Sequence, residues 1–250
     1  MTTRVAIVGA TGRMGRLASA VIEASPEFEL VASLDSSAEL SDILAAELVL
    51  DVTVPAVSPS IVDYAVSHGI NVLVGTSGWS AERIDALERT LAVTPDVGVV
   101  IVPNFSLGSV LATSFAAQAA RFFDSIEIVE AHHASKVDSP SGTAVRTAEL
   151  MGKARGELGP VAAPHADQLA RGQQVSSIPI HSLRMNGVVA RQDVHFGGTG
   201  EVLTITHETL SPSSYEAGIL VGLRAARTAR GLTVGLDKLI PLGGSARDSA

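Results

Sequence analysis

The chain has 250 residues, 18 Lys and Arg against 26 Asp and Glu, a formal net charge of −8 and no cysteine. That acidic balance supplies no overall field for nucleic acid or an anionic membrane. The missing thiols exclude disulfides, thiolate nucleophiles and cysteine-based zinc or iron–sulfur sites. The length leaves room for one large or two small domains, and 46 % apolar residues with only 4 % aromatics suit an α/β protein packed with small side chains. No apolar run approaches the roughly 18 residues of a membrane span. The start reads as a strand entering a turn, not as a targeting segment, and the expected location is the cytoplasm.

Val5–Val8 is a short apolar run ending at Gly9, as in a buried parallel strand. A helix from Arg13 to Ala24 follows, with Met14, Leu17, Ala18, Val21 and Ile22 at helical spacing. Strands are predicted at Glu29–Leu34, Leu48–Val54, Asn71–Val74 and Val97–Val102, with helices over Pro59–His68 and Ala81–Val93. Alternation of this kind predicts an N-terminal Rossmann-type, doubly wound parallel sheet. After Pro103 the pattern changes. Leu107–Phe123 is a long apolar helix, Ser125–His132 a strand, and residues 152–172 a surface loop with some helix. Strand-like runs at Val175–His181, Gly187–Phe196 and Glu201–His207 come without helices between them. They predict a second, α+β domain with a mixed or antiparallel sheet. Ser211-Pro212 then opens a helix, with Ser as N-cap and Pro in the first position. This helix carries Ile219, Leu220 and Leu223 inward, stops near Gly231 and returns the chain to the first domain. The predicted division is a dinucleotide-binding domain over residues 1–105, completed by 213–250, and a substrate-binding and oligomerisation domain over 106–212.

Gly9, Gly12 and Gly15 follow the first strand and open the first helix, in a spacing looser than G-x-G-x-x-G. Such a turn, Gly9-Ala10-Thr11-Gly12-Arg13-Met14, brings backbone close to a pyrophosphate and points unpaired N–H groups at it. Asp35 ends the second strand, where a carboxylate accepts bonds from an adenosine ribose diol. Residues 36–38, Ser-Ser-Ala, supply no base to offset a 2′-phosphate, although Arg13 can reach an anion from the glycine turn. The cofactor is therefore NADH and/or NADPH. Gly75-Thr76-Ser77-Gly78-Trp79 follows the fourth strand and Pro103-Asn104-Phe105-Ser106 the fifth. Both segments lie at the carboxyl edge of the sheet, where cofactors bind in this architecture. Plain turn-making is the alternative for each segment, and the first glycine turn favours cofactor contact.

The run from Glu130 through His132, His133, Lys136, Ser139, Pro140, Ser141, Gly142 and Thr143 to Ala144 gathers two imidazoles, an ammonium and a helix start. His132 and His133 end a strand, so alternation sends them to opposite sides, and no metal site is expected. Ser139-Pro140 has the Ser-cap and Pro-first arrangement, which places Ser141, Gly142 and Thr143 in the first helical turn. Their N–H groups and hydroxyls can hold a carboxylate. An ordinary well-capped helix is the alternative.

This signature, E-A-H-H-x-x-K-x-D-x-P-S-G-T-A, resembles that of the 4-hydroxy-tetrahydrodipicolinate (dihydrodipicolinate) reductase family. The similarity extends to Gly9-x-x-Gly-Arg-Met-Gly15, Gly75-Thr-Ser-Gly78, Asn104-Phe-Ser-x-Gly108 and Gly200-Glu-x-Leu-x-Ile-x-His207. Ser77 stands where Thr is more usual and Trp79 where Phe is common. The resemblance implies NAD(P)H-dependent reduction of 4-hydroxy-tetrahydrodipicolinate or dihydrodipicolinate to tetrahydrodipicolinate, in the diaminopimelate route to lysine. Hydride would go to ring C4 and a proton to C3. It implies His132 as the acid/base, Lys136 as the proton donor, and His133, Gly142 and Thr143 as ligands of a small dicarboxylate. It also implies a homotetramer built through the second domain's sheet. Two rivals are another two-domain dehydrogenase and a non-catalytic dinucleotide sensor, neither of which needs His132, Lys136 and the Pro-Ser-Gly-Thr run together.

Overall fold

Short apolar runs alternate with amphipathic stretches through the first part of the chain, and each becomes a strand or a helix in turn. The computed structural model describes residues 2–240; Met1 and residues 241–250 of the predicted first domain lie outside the described residues. The elements in order are β1 (Thr3–Val8), α1 (Arg13–Glu23), β2 (Phe28–Leu34), β3 (Leu48–Asp51), α2 (Ser58–Ser67), β4 (Asn71–Val74), α3 (Ala81–Ala92) and β5 (Gly98–Ile101). Next come α4 (Leu107–Ala119), β6 (Ser125–His132), α5 (Gly142–Arg155), β7 (Gln173–Val175), β8 (Ile178–Arg184), β9 (Ala190–Gly198) and β10 (Glu201–Thr209). The described chain ends with α6 (Glu216–Ala226) and β11 (Gly231–Val234). Two compact units result: one runs to Leu107 and resumes at Pro212, and the other is Gly108–Ser211.

The first unit holds a six-stranded parallel sheet in the order β11-β5-β4-β3-β1-β2. Every residue of β3, β4 and β5 is buried, as expected of a parallel sheet covered on both faces. The chain leaves β1 towards β2 on one side and then crosses to β3 on the other, so the carboxyl end of β1 lies at the switch point where this architecture binds ligands. Two differences from the sequence reading have local causes. β3 stops at Asp51, not Val54, because the Asp51 carboxylate accepts the Thr53 N–H (3.0 Å) and the Thr53 hydroxyl (2.6 Å), an Asx-type turn. Pro212 opens a separate 3-10 turn, Pro212–Tyr215, before α6. Beyond α6 the unanticipated strand β11 pairs with β5. Asn71 fastens this return: its amide donates to Ala226 O (2.8 Å) and its carbonyl accepts the Gly98 N–H (2.9 Å).

The second unit holds a mixed sheet, β10-β9-β6-β8-β7, in which β6 and β8 are parallel and the other pairs antiparallel. Ile126, Ile128, Ile180, Val194 and Phe196 pack on one face against Ala116, Ala144, Ala148 and Met151. α4 ends at Ala119, short of Phe123, where the buried Arg155 guanidinium donates to the carbonyls of Ala120 and Phe123. The single strand predicted over Val175–His181 is a hairpin. Ser176 and Ser177 both take positive φ (49° and 65°), the two-residue turn that usually announces itself by Asn or Gly. β9 starts at Ala190 because Gly187, at φ 86°, belongs to the preceding turn. Among the described residues no helix is long and apolar enough to cross a membrane.

Candidate active site

In the first unit the glycine turn is built as a backbone cradle. Gly9 has φ 91°, and a Cβ there would lie 2.7 Å from Val52 O. A Cβ on Gly15 would lie 2.2 Å from Gly9 O, so only glycine lets α1 begin this close to β1. The N-cap of α1 is Gly12, with no side-chain cap bond, which leaves the first N–H groups of the helix to a ligand. Thr11, Gly12 and Arg13 are exposed, Gly9 and Met14 partly so, and Ala10 is buried. These groups fit a dinucleotide pyrophosphate.

Asp35 follows β2 at the same edge and is exposed. Its Oδ1 accepts the Ser37 hydroxyl (2.7 Å) and the Ser37 N–H (2.8 Å), and these bonds hold its carboxyl below the ordinary carboxylate range. The side chain therefore stays anionic. Thr76, Ser77 and Pro103, from the segments around β4 and β5, line one cavity of about 330 Å³ with Trp79 and Ile84. Ser77 and Pro103 are exposed, whereas Thr76, Val102 and Phe105 are buried. A Cβ on Gly75 would meet the Phe105 ring at 2.6 Å, so that ring supports the loop. Asn104 Oδ1 accepts the Ser106 N–H (2.9 Å). Thr76 Oγ1 donates to Asp51 Oδ1 (3.0 Å), and Ser58 donates to Asp51 Oδ2, so one buried carboxylate ties the loop after β4 to α2 and to the turn at Thr53.

In the second unit the signature segment spans the end of β6, a turn and the start of α5. Ile126, Ile128, Glu130 and His132 alternate along β6 on the core side, so Glu130 and His132 share a face. Parallel pairing sets His132 beside Arg184 at the end of β8. Glu130 is wholly buried and is the hub of the site. It accepts His132 Nδ1–H (2.6 Å), Arg184 through two nitrogens (2.9 and 2.8 Å) and the Ser141 N–H (3.2 Å). Burial alone pushes its carboxyl up. The bonds from His132 and Arg184, with the guanidinium charge, outweigh that and bring it from the ordinary 4.5 to about 2.

Lys136 Nζ grips both oxygens of Asp138 (2.7 and 2.8 Å), which lowers the Asp138 carboxyl below its usual range. His133 lies beyond the end of β6, so strand alternation does not orient it; its Nδ1 bonds the Ser135 hydroxyl (2.8 Å). The expected capping arrangement is displaced by two residues. Ser141, not Ser139, is the N-cap of α5, and its hydroxyl accepts the Ala144 N–H (3.2 Å). Its own N–H is taken by Glu130, so the buried Ser141 serves the helix and is not placed in its first turn. Gly142 and Thr143 are the first two helical residues, for whose N–H groups the helix offers no acceptor. Gly142 is exposed and Thr143 partly so. Glu130, Arg184 and Asp138 escaped the sequence reading as site residues. The i, i+2 spacing of Glu130 and His132 was a usable signal, whereas Arg184, 54 residues from Glu130, carries no motif.

Residues 3–105 match the family described as dihydrodipicolinate reductase, N-terminus, and residues 108–240 its C-terminus. A 4-hydroxy-tetrahydrodipicolinate reductase of Clavibacter sepedonicus is 73 % identical over 98 % of this chain and 88 % of its own length. That of Streptomyces griseus is 45 % identical over 96 % of this chain and 98 % of its own. The dipicolinate-bound dihydrodipicolinate reductase from Paenisporosarcina sp. TG-14 superposes with a TM-score of 0.85 at 29 % identity, covering 96 % of this chain and all of that one. The chain belongs to the dihydrodipicolinate reductase family.

Proposed function

We propose that the protein reduces 4-hydroxy-tetrahydrodipicolinate, or the dihydrodipicolinate formed from it, to tetrahydrodipicolinate at the expense of NADH and/or NADPH. The observation that carries this is the end of β6, where His132 and the α5 N-terminus bond Glu130 and Lys136 is held by Asp138, whose carbonyl Arg184 binds. In this reading residues 1–105 and 213–250 hold the cofactor and 106–212 the substrate. The Gly9–Met14 turn takes the pyrophosphate, Asp35 the adenosine ribose, and Gly75–Ser77 with Val102–Phe105 the remainder, the buried members through backbone. A nicotinamide held there would supply the hydride for ring C4.

The rest of the chemistry falls to this chain. In the conjugated imine, which loss of water gives from the hydroxy compound, negative charge passes from C4 into the imine as the hydride arrives, and C3 must then take a proton. His132 and Lys136 are the acid/base groups for that step, and a cation beside the ring offsets the developing charge. The N–H groups of Gly142 and Thr143, the Thr143 hydroxyl and His133 hold the carboxylates. Lys136 is engaged by Asp138, and a dicarboxylate offers the same ammonium an alternative anion. The protein works in the cytoplasm as a homotetramer associated through the second unit's sheet, where β10 exposes Val202 and Leu203; sedimentation of the intact protein tests the assembly.

The direct test follows absorbance at 340 nm during oxidation of NADH and of NADPH, with substrate generated in situ by the preceding condensation enzyme. Wild type is expected to oxidise cofactor only when substrate forms, and Lys136→Ala to lose most of that rate. No substrate-dependent oxidation by folded, cofactor-binding wild type would leave the sensor reading in its place. The same assay addresses Asp35. Its anionic carboxylate favours a ribose diol over a 2′-phosphate, so Asp35→Ala is expected to raise KM for NADH and lower it for NADPH. Unchanged KM values would remove Asp35 from the cofactor site.

A further inference from the structure

Three parts of the signature segment converge on one buried ion pair that the reaction itself does not consume. Glu130 Oε2 meets His132 Nδ1 (2.6 Å) and Arg184 Nη1 (2.9 Å), and Oε1 meets Arg184 Nη2 (2.8 Å) and the Ser141 N–H (3.2 Å). Arg184 Nη2 also donates to the carbonyl of Asp138 (2.6 Å), the residue whose side chain holds Lys136. We propose that Glu130 and Arg184 are positioning residues: Glu130 fixes His132 in the Nδ1–H form with Nε2 turned to the substrate, and Arg184 aligns Lys136 and the α5 N-terminus with it.

The tautomer follows from donor and acceptor counting. An ionised carboxylate only accepts, and its two oxygens here receive four donors, so His132 Nδ1 must bring the hydrogen. Nε2 is then the nitrogen left for proton exchange. A buried ion pair is weak grounds for stability by itself, since apolar side chains of the same volume serve as well or better. They could not accept from an imidazole, a helix N-terminal N–H and a forked guanidinium at once. Arginine is needed because its planar fork spans both carboxylate oxygens and still has a hydrogen for Asp138 O, which a lysine ammonium cannot reproduce. The whole arrangement lies within the second unit and links Glu130, Arg184, Asp138 and Lys136 as alternating charges.

This proposal rests on His132 and Lys136 being the reaction's acid/base groups, and the test separates the two claims. Protein labelled with 15N-histidine is examined at alkaline pH, where a neutral ring shows its tautomer. The His132 signals among the seven histidines are identified by their loss in His132→Gln. Wild type is expected to show hydrogen on Nδ1 alone, and Glu130→Gln a mixture of tautomers. Both Glu130→Gln and Arg184→Lys should lower kcat by about 10²- to 10⁴-fold, with KM for NADH unchanged, as misplaced or mis-tautomerised acid/base groups do. Hydrogen on Nε2 in wild type overturns the proposal, as does a folded Glu130→Gln with one tautomer and wild-type kcat. Should Glu130→Gln fail to fold, the wild-type spectrum and Arg184→Lys decide. If wild type oxidises no cofactor, the proposed reaction falls, while the two spectra still show whether Glu130 sets the ring.

Discussion

Replacing His132 with alanine is expected to lower kcat by a factor on the order of 10²–10⁴, the usual contribution of a positioned acid/base group. Affinity for NADH should not change, because the glycine turn, Asp35 and the loops after β4 and β5 all belong to the other compact unit. The size of the effect follows from how the ring is held. His132 closes β6 on the same face as Glu130, its side chain is only 17 % exposed, and its Nδ1 is committed to a buried carboxylate. The ring's one remaining nitrogen is thus presented from the end of a strand, not from a loop. Thr143→Ala is the contrasting case. Removing the proposed carboxylate ligand at the start of α5 should weaken binding of ground state and transition state alike, so KM is expected to rise while kcat is kept. Steady-state kinetics of the two variants separate these patterns. Near-normal turnover in His132→Ala would take the acid/base role away from this residue, and Lys136 would then be the sole candidate for protonating C3.

The candidate residues of each unit could be picked out in the sequence because they lie in short contiguous segments. The glycine turn, Asp35 and the run from Glu130 to Ala144 each carry their meaning in local spacing, and strand–helix alternation predicted five of the six strands of the first sheet. What escaped was non-local or depended on backbone geometry without a residue signature. β11, Gly231–Val234, is no shorter than β3, β4 or β5 but lacks their run of three apolar residues, because Thr233 interrupts it, and it is recognisable only through its pairing with β5. The hairpin at Ser176 and Ser177 uses positive φ without glycine or asparagine, so the sequence shows one strand where the fold has two. Ser139-Pro140 has the look of a helix start, but Ser141 takes the cap because Glu130 binds its N–H and its hydroxyl reaches Ala144. Arg184 is the clearest case. Nothing around it in sequence marks it, and only the parallel pairing of β6 with β8 brings it to His132.

That distant arginine should dominate stability. Arg184→Met keeps most of the side-chain volume but leaves the Glu130 carboxylate buried without its cation and without two charge-assisted bonds. Breaking a buried pair from one side costs about 3–5 kcal/mol, a large part of the roughly 5–15 kcal/mol that holds a typical domain folded. Adding Glu130→Gln to Arg184→Met should recover part of the loss, since the uncompensated charge then disappears. Acid unfolding gives an independent measure. The folded Glu130 carboxyl sits at about 2, below its ordinary 4.5. A group with a depressed folded pKa contributes stability that is fully present above its unfolded value and is lost as pH falls through the folded one. Glu130 therefore contributes about 3 kcal/mol above pH 4.5, lost progressively as the pH falls towards about 2. In Arg184→Met the carboxyl loses the charge that holds it low while its burial persists, so acid unfolding should begin at a higher pH than in wild type. Thermal unfolding followed across that pH range checks both expectations. Equal midpoints for wild type and Arg184→Met at neutral pH, with the same acid limb, would mean that His132 and Ser141 hold the buried carboxylate without Arg184.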